Sequence, residues 1–156
     1  MKRLHVSVSV TDLDASIGFY RNLFAAEPSV VKADYAKWML DDPCVNFAVT
    51  THGAQKGVDH FGIQAEDEAE LSEVYGRLKT AGDAVVIEQG ETVCCYAQSE
   101  KSWIFDPEGI AWETFLTRGQ SPVYGTDEIL PAGQSSACCD RPKVEQARVK
   151  SGSNCC

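Results

Sequence analysis

The residues best suited to bind a metal ion occur in three short stretches of strand-like sequence: His5, His60 and Glu113. Because alternate side chains of a β-strand share one face, each histidine leaves the hydrophobic side of its stretch. Glu113 is a carboxylate within an otherwise apolar stretch. Two imidazoles and one carboxylate on the concave side of a curved sheet form a facial triad, which leaves metal positions open for O2 or a substrate. We therefore predict a metal site at these three residues, with Fe(II) as the favoured ion.

Each of these residues also has an ordinary structural explanation. A single strand histidine is commonly a hydrogen-bonded surface or core residue, and a strand glutamate commonly faces solvent. The metal site is favoured because His5 and His60 occupy matching places in two similar halves of the chain, and because Glu113 follows an Asp-Pro-x-Gly turn. The remaining histidine, His52, lies in a Thr-Thr-His-Gly segment, and we expect it to be a solvated turn residue.

Thiols are the second kind of side chain that could carry chemistry. Six of the seven cysteines form adjacent pairs, which are Cys94-Cys95, Cys138-Cys139 and Cys155-Cys156. Adjacent cysteines are poor disulfide partners because joining them forces a strained small ring. In a reducing compartment, thiols clustered in this way more often serve soft-metal or redox chemistry. The pattern argues against a disulfide scaffold.

The elements that position these side chains occur in the same order twice. Alternation over Leu4–Val10 predicts a strand, and apolar residues at helical spacing from Leu13 to Leu23 predict an amphipathic helix, after which short β-rich runs follow. The same order of strand, helix and short β-rich runs begins again at His60. The later strand-like runs are Val85–Glu88, Val93–Gln98, Ser102–Phe105 and Ile110–Leu116. We predict an α+β fold of two βαβββ modules, about residues 1–54 and 55–118.

Size and charge exclude several classes of protein. The chain has 156 residues, 44% of them hydrophobic, which suits one domain with an appendage. A net charge of −9 and the lack of a basic stripe argue against nucleic acid as a partner. No signal-peptide core or membrane span is visible, so we expect a cytoplasmic protein without a membrane partner. The sequence leaves a monomer and a homodimer equally open.

Three sequence features together resemble the vicinal-oxygen-chelate superfamily, which includes glyoxalase I, extradiol dioxygenases and fosfomycin-resistance proteins. They are the His5 strand, the His60 strand and the Asp106–Gly109 turn that leads to Glu113. The resemblance covers roughly residues 1 to 118. It implies a U-shaped mixed sheet around one divalent metal, held at the positions of the two histidines and the glutamate. The fourth ligand position of glyoxalases falls in Val45–Val49, where no carboxylate occurs, so we expect a three-ligand site.

The segment Glu91–Ala97 contains Cys-Cys-Tyr-Ala and resembles the bacterial carbon–arsenic lyases and the related cadmium-inducible proteins. This resemblance implies that Cys94 and Cys95 capture a trivalent methyl- or aryl-arsenical. Fe(II) and O2 would then cleave its carbon–arsenic bond and release arsenite. Both sulfurs can reach one arsenic only if the backbone bends, so we expect a bulge or loop at the pair. Two half-buried structural thiols are the simpler alternative.

A non-catalytic protein that binds cadmium or arsenite through thiolates is the rival hypothesis. Glyoxalase or thiol-transferase activity is disfavoured by the missing fourth carboxylate and by the unexplained thiol pair. Lys101, expected on a loop, could help to close the site or could be a solvated lysine. Residues 119–156 are rich in Gly, Ser, Pro and charge and are expected to form a flexible tail. The auxiliary thiols of this tail could scavenge arsenic, or the tail could be dispensable; these thiols are Cys138, Cys139, Cys155 and Cys156.

Overall fold

The computed structural model describes residues 1–53, 55–81 and 86–125. Within these ranges the chain forms two helices and eight strands. In chain order they are β1 (Arg3–Ser9), α1 (Leu13–Phe24), β2 (Val30–Val31), β3 (Tyr35–Asp41), β4 (Cys44–Thr50), β5 (Gly57–Ala65), α2 (Glu68–Leu78), β6 (Ile87–Cys94), β7 (Ala97–Phe105) and β8 (Ala111–Gln120). The order βαβββ occurs twice, which confirms the predicted α+β fold of two modules.

All eight strands belong to one mixed sheet in the order β2-β3-β4-β1-β5-β8-β7-β6. The strand that opens each module lies at the centre, where β1 runs antiparallel to β5. Next to this pair, β4 is parallel to β1 and β8 is parallel to β5. The two modules therefore join through β1 and β5. This topology brings β4, β1, β5 and β8, which are distant in sequence, side by side.

The hydrophobic face of the sheet is covered by the two helices. In the first module, Leu13 and Ile17 of α1 belong to a buried cluster with Trp38 and Phe47. In the second, Leu71 of α2 packs with Ala65 of β5 and Leu116 of β8. None of the helices in the described ranges has the length and apolar character needed to cross a bilayer. The opposite, polar face of the central strands is left to form the site.

The strand boundaries of the second module differ from the predicted ones. We expected Val93–Gln98 to be one strand, but the chain reverses there, with Cys94 ending β6 and Ala97 starting β7. Cys95 and Tyr96 form the turn and have positive φ angles of 55° and 62°. A two-residue hairpin with both central residues at positive φ matches the right-handed twist of the strands it joins. The expected bend at the cysteine pair is confirmed, as a hairpin turn.

The end of the described chain also extends further than the pattern indicated. Strand β8 continues past Arg118, where we placed the end of the domain, to Gln120. Beyond it, the Ser121 amide donates a hydrogen bond to the Tyr96 carbonyl oxygen at 2.8 Å. Residues up to Gly125 therefore contact the sheet. The four tail cysteines and the predicted end of the second helix near Gly82 lie outside the described residues.

Candidate metal and thiol site

His5, His60 and Glu113 meet at the centre of the polar face. They lie on β1, β5 and β8, which are adjacent in the sheet, and all three side chains are buried. The Nε2 atoms of the two histidines are 3.3 Å apart, and they lie 3.7 Å and 3.6 Å from Oε2 of Glu113. Donor atoms about 2.0–2.2 Å from one metal lie roughly 3 Å apart, so small side-chain movements would place these three on a single ion. The three predicted residues are brought together and could hold a divalent metal.

A glycine makes this close approach possible. Gly62 lies on β5, opposite His5 on β1 and opposite Glu113 on β8. A Cβ atom at this position would lie 2.5 Å from the backbone oxygen of Glu113. That distance is too short for any side chain. Strands β5 and β8 can therefore approach this closely at the site only with glycine here.

Hydrogen bonds orient both imidazole rings. Nδ1 of His5 donates to the backbone oxygen of Asn46 at 3.0 Å, and Nδ1 of His60 donates to Oδ2 of Asp59 at 2.9 Å. Partners of this kind fix the tautomer and turn the other nitrogen, with its lone pair, towards the site. Burial also lowers the pKa of His5 to about 4, so its ring is neutral at physiological pH. The donor set of two oriented imidazoles and one carboxylate fits a divalent metal.

Strand β4, which pairs with β1, carries a buried amide side chain next to His5. Asn46 on β4 lies opposite His5 and is buried. Its Nδ2 donates to Oε1 of Gln64 at 2.9 Å, whereas its Oδ1 has no hydrogen-bond partner among the described residues. The strand in which the resemblance places a possible fourth ligand thus presents an amide here and not a carboxylate. The three-ligand site stays a prediction.

The structure corrects both predictions for Lys101. The residue lies within β7, and its side chain is buried rather than solvated or on a loop. Its Nζ is 2.6 Å from Oε1 of Glu113, so Oε2 of the same carboxylate faces the histidines. Burial favours the neutral form of Glu113, but Lys101 and the two histidines outweigh it, and the pKa of Glu113 lies below its usual value. Lys101 thus keeps the candidate ligand ionised and oriented.

The two thiols lie on the same cavity as the triad. Cys94 and Cys95 line it together with His5, His60 and Glu113. The hairpin turn lets both sulfurs point the same way, and they are 2.9 Å apart. The contact with Cys94 lowers the pKa of Cys95, burial opposes this shift, and the positive charge of Lys101 adds to it. The arrangement thus favours a thiolate at Cys95.

The turn formed by Cys95 and Tyr96, here called the thiol turn, is anchored to the first module by Asp34. Oδ1 of this carboxylate accepts a hydrogen bond from the Tyr96 hydroxyl, and Oδ2 pairs with Nε2 of His52, both at 2.6 Å. These contacts lower the pKa of Asp34, with Tyr96 making the larger contribution. His52 is exposed, as expected for a turn residue, but it is fixed by Asp34 and by stacking on Tyr124. The turn is therefore held from both modules.

A sequence model of the Glyoxalase/Bleomycin resistance protein/Dioxygenase superfamily matches residues 2–114. The chain belongs to this superfamily. A solved structure of the superfamily fold, the Mn(II)-bound glyoxalase from Novosphingobium aromaticivorans, superposes with a TM-score of 0.51 and 17% sequence identity. The match covers 76% of this chain and 39% of that chain. At this identity the likeness concerns the fold alone.

Relatives within the superfamily carry two kinds of name. The chain is 39% identical to the trivalent organoarsenical cleaving enzyme of Bacillus sp. (strain MD1), over 100% of this chain and 99% of that protein. It is 33% identical to the protein of the same name in Thermomonospora curvata, over the whole of both chains. It is also 31% identical to the cadmium-induced protein CadI of Mycobacterium tuberculosis, over 90% of this chain and 94% of that protein. The resemblance that the Cys-Cys-Tyr-Ala segment indicated, to carbon–arsenic lyases and cadmium-inducible proteins, is confirmed.

The structure adds residues to the site that the sequence patterns did not indicate. Asp59 orients His60, and Tyr35 and Tyr124 form aromatic walls beside the thiol turn. Asp59 could have been found from the sequence, because a carboxylate directly before a candidate ligand histidine is a common orienting partner. Tyr124 could not, since it follows the last strand in a segment without periodicity.

Proposed function

We propose that this superfamily member is a non-haem Fe(II)- and O2-dependent carbon–arsenic lyase, which cleaves trivalent methyl- or aryl-arsenicals and releases arsenite. The observation that carries the proposal is the shared cavity, in which a vicinal thiol pair lies beside two histidines and a glutamate. A soft pair of sulfurs suits arsenic, and the nitrogen and oxygen donors suit iron. The names of the Bacillus and Thermomonospora relatives support the same substrate class.

Capture of the substrate is assigned to Cys94 and Cys95. A monosubstituted trivalent arsenical carries two exchangeable hydroxyl groups, so two thiols can displace both as water and form two arsenic–sulfur bonds. The sulfurs are already 2.9 Å apart, and the lowered pKa of Cys95 supplies the first nucleophile. Arsenic held in this way would present its carbon substituent to the cavity that His5, His60 and Glu113 line.

The triad would hold Fe(II), whose role when bound is to activate O2 for oxidation of the carbon attached to arsenic. For a methylarsenical the balance closes without another reductant. Methylarsonous acid and O2 give formaldehyde and arsenous acid, and the electrons lost by carbon are those accepted by O2 while arsenic stays trivalent. Among the protein groups, Lys101 keeps Glu113 ionised, and the burial of the site excludes bulk water from it.

Sequestration without turnover is the second candidate, because CadI proteins are also relatives of this chain. A thiolate chelator has no use for two oriented imidazoles beside a buried carboxylate. The hydrogen bonds from both Nδ1 atoms therefore favour the enzyme.

The test compares Fe(II) with a metal that has no redox chemistry. Metal-free protein is loaded anaerobically with Fe(II) or with Zn(II), mixed with methylarsonous acid, and then exposed to O2 or kept under nitrogen. We expect arsenite only in the sample that contains both Fe(II) and O2, measured by chromatography with elemental detection. Stoichiometric arsenical binding with no arsenite above the Zn(II) sample would reject the lyase and support sequestration.

A further inference from the structure

The segment Ser121–Gly125, here called the strap, folds back from the end of β8 onto the thiol turn. Its first residue donates its amide hydrogen to the Tyr96 carbonyl oxygen, and its last forms a β-bridge with Cys94. Gly125 has φ +82°, and a Cβ atom there would lie 1.9 Å from the Val93 carbonyl oxygen. Only glycine can therefore make this bridge. The strap is fixed at both ends to the hairpin that carries the cysteine pair.

Between these two anchors, Tyr124 places its side chain against the thiols. Its ring stacks on His52 with a centroid distance of 4.1 Å and meets the ring of Tyr96 edge-on at 5.6 Å. The hydroxyl oxygen lies 3.5 Å from Sγ of Cys95 and 3.4 Å from Oγ1 of Thr50. The ring contacts leave the hydroxyl directed at the sulfur. The last residues of the described chain thus complete the thiol site.

We propose that Tyr124 is a positioning residue for arsenical capture, whose hydroxyl donates a hydrogen bond to the Cys95 thiolate and aims that sulfur at the substrate. When Cys95 is a thiol, its S–H donates to the tyrosine oxygen; when the thiol loses its proton, the hydroxyl donates to the sulfur instead. Hydrogen bonds to an ionised partner are roughly twice as strong as those between neutral groups, so the contact stabilises the thiolate over the thiol. The inference rests on the proposed role of the cysteine pair in binding arsenicals.

The direction of the titrations agrees with this assignment. The Tyr124 contact contributes to lowering the pKa of Cys95. Burial, and then the charge of Cys95, raise the pKa of Tyr124 above its usual value, so the hydroxyl keeps its proton and remains a donor. Other ionisable groups face the Cys95 sulfur from the neighbouring elements: Cys94 on β6, Tyr35 and Lys37 on β3, Lys101 on β7 and Glu113 on β8. Removing the Tyr124 hydroxyl should therefore raise the pKa of the Cys95 thiol without preventing its ionisation.

The ring and the hydroxyl of Tyr124 can be separated experimentally. Tyr124→Phe keeps the stacking and removes only the donor. Tyr75→Phe is the control, because its hydroxyl lies on α2 and has no hydrogen-bond partner among the described residues. Iodoacetamide alkylation of the full-length protein is followed from pH 5 to pH 10 by mass spectrometry of the tryptic peptide 80–101, which contains Cys94 and Cys95 and none of the other cysteines.

We expect Tyr124→Phe to raise the pH midpoint of Cys95 alkylation by about one unit, with a rate near neutral pH lower by about tenfold. Tyr75→Phe should leave the midpoint unchanged. Under turnover, the loss in Tyr124→Phe should appear in kcat/KM at low arsenical concentration, with the iron content and kcat near the parent values. An unchanged midpoint in Tyr124→Phe would overturn the inference.

Two features keep this test decisive. The alkylation readout needs neither iron nor arsenical, so a protein that fails as a lyase can still confirm or refute the role of Tyr124. If Tyr124→Phe does not fold, Gly125→Ala is the second variant: its added Cβ would clash with the Val93 carbonyl oxygen, displace the strap with Tyr124, and so raise the Cys95 midpoint. A midpoint that falls or does not move in Gly125→Ala would then count against the inference.

Discussion

Replacing Lys101 with Met is the sharpest probe of the electrostatics of the site. The change keeps the length and apolar stem of the side chain and removes the charge that lies 2.6 Å from Oε1 of Glu113. Only 5% and 4% of the two side chains are exposed. Removing one partner of a buried ion pair leaves an uncompensated charge, which costs about 3–5 kcal/mol. For a domain of this size, that corresponds to a melting temperature roughly 10 °C lower.

The chain offers a control with the same geometry and a different environment. Lys2 and Glu73 also pair at 2.6 Å, but 27% and 47% of their side chains are exposed. A pair in contact with water contributes about 0–1 kcal/mol, so Lys2→Met should hardly change the melting temperature. The double variant Lys101→Met, Glu113→Gln removes both charges and should recover much of the lost stability. Thermal unfolding of the metal-free proteins, followed by circular dichroism, gives all these values.

Addition of a metal turns the same measurement into a test of the site. A bound cation compensates the charge of Glu113, so the cost of Lys101→Met should be clearly smaller with saturating Zn(II) than without it. Equal losses for Lys101→Met and Lys2→Met in the metal-free proteins would refute the buried-pair argument. Equal losses with and without Zn(II) would refute the idea that lysine and metal share one carboxylate.

Further predictions concern the ligands and the thiols. His60→Ala and Glu113→Ala should each abolish stoichiometric Fe(II) uptake while the far-ultraviolet circular dichroism stays native; full metal content in the double variant would reject the triad. Cys94→Ser and Cys95→Ser should each remove nearly all arsenite release without changing the iron content, because the two thiols act as a unit; near-native rates at low substrate in both variants would reject two-thiol capture. In the metal-free protein, the folded pKa of His5, about 4, lies below the unfolded value of about 6.5, so the folded state binds fewer protons between these values. The free energy of unfolding, measured by urea denaturation, should therefore fall by roughly 3 kcal/mol from pH 6.5 to pH 4. His5→Gln should remove most of this pH dependence.

The parts of the fold and site that could be predicted are those set by local periodicity. Strict alternation in β1 placed His5 on the polar face, and the two-residue repeat of a strand assigned His60 of β5 and Glu113 of β8 to their faces. Because a strand repeats every two residues, the face of each side chain follows directly from the sequence. The repeated element order and the resemblance to the superfamily then indicated that these strands surround one metal. Three residues far apart in the chain could therefore be assigned to one site.

The environment of those residues could not be predicted in the same way. Lys101 stands in a polar stretch, Ser-Glu-Lys-Ser, which has the composition of an exposed loop. Its burial depends on the pairing of β7 with β8, which places Lys101 opposite Phe115 and within reach of Glu113. A lysine is buried when a carboxylate compensates its charge, and that partner becomes visible only in three dimensions. The contact between Tyr124 and Cys95 depends in the same way on the path of the strap.

The conformation of the thiol turn connects fold to function. Two-residue hairpins with both central residues at positive φ strongly favour Asn-Gly, yet this one contains Cys95 and Tyr96 at φ 55° and 62°. Residues other than glycine lose about 1–2 kcal/mol each in this region. The hydrogen bond from Tyr96 to Asp34, the bridge from Cys94 to Gly125 and the strap amide offset that cost. Such strain at a candidate binding site has a direct reason here, because a regular strand would send neighbouring sulfurs to opposite faces. The left-handed turn is what allows two adjacent cysteines to face one cavity.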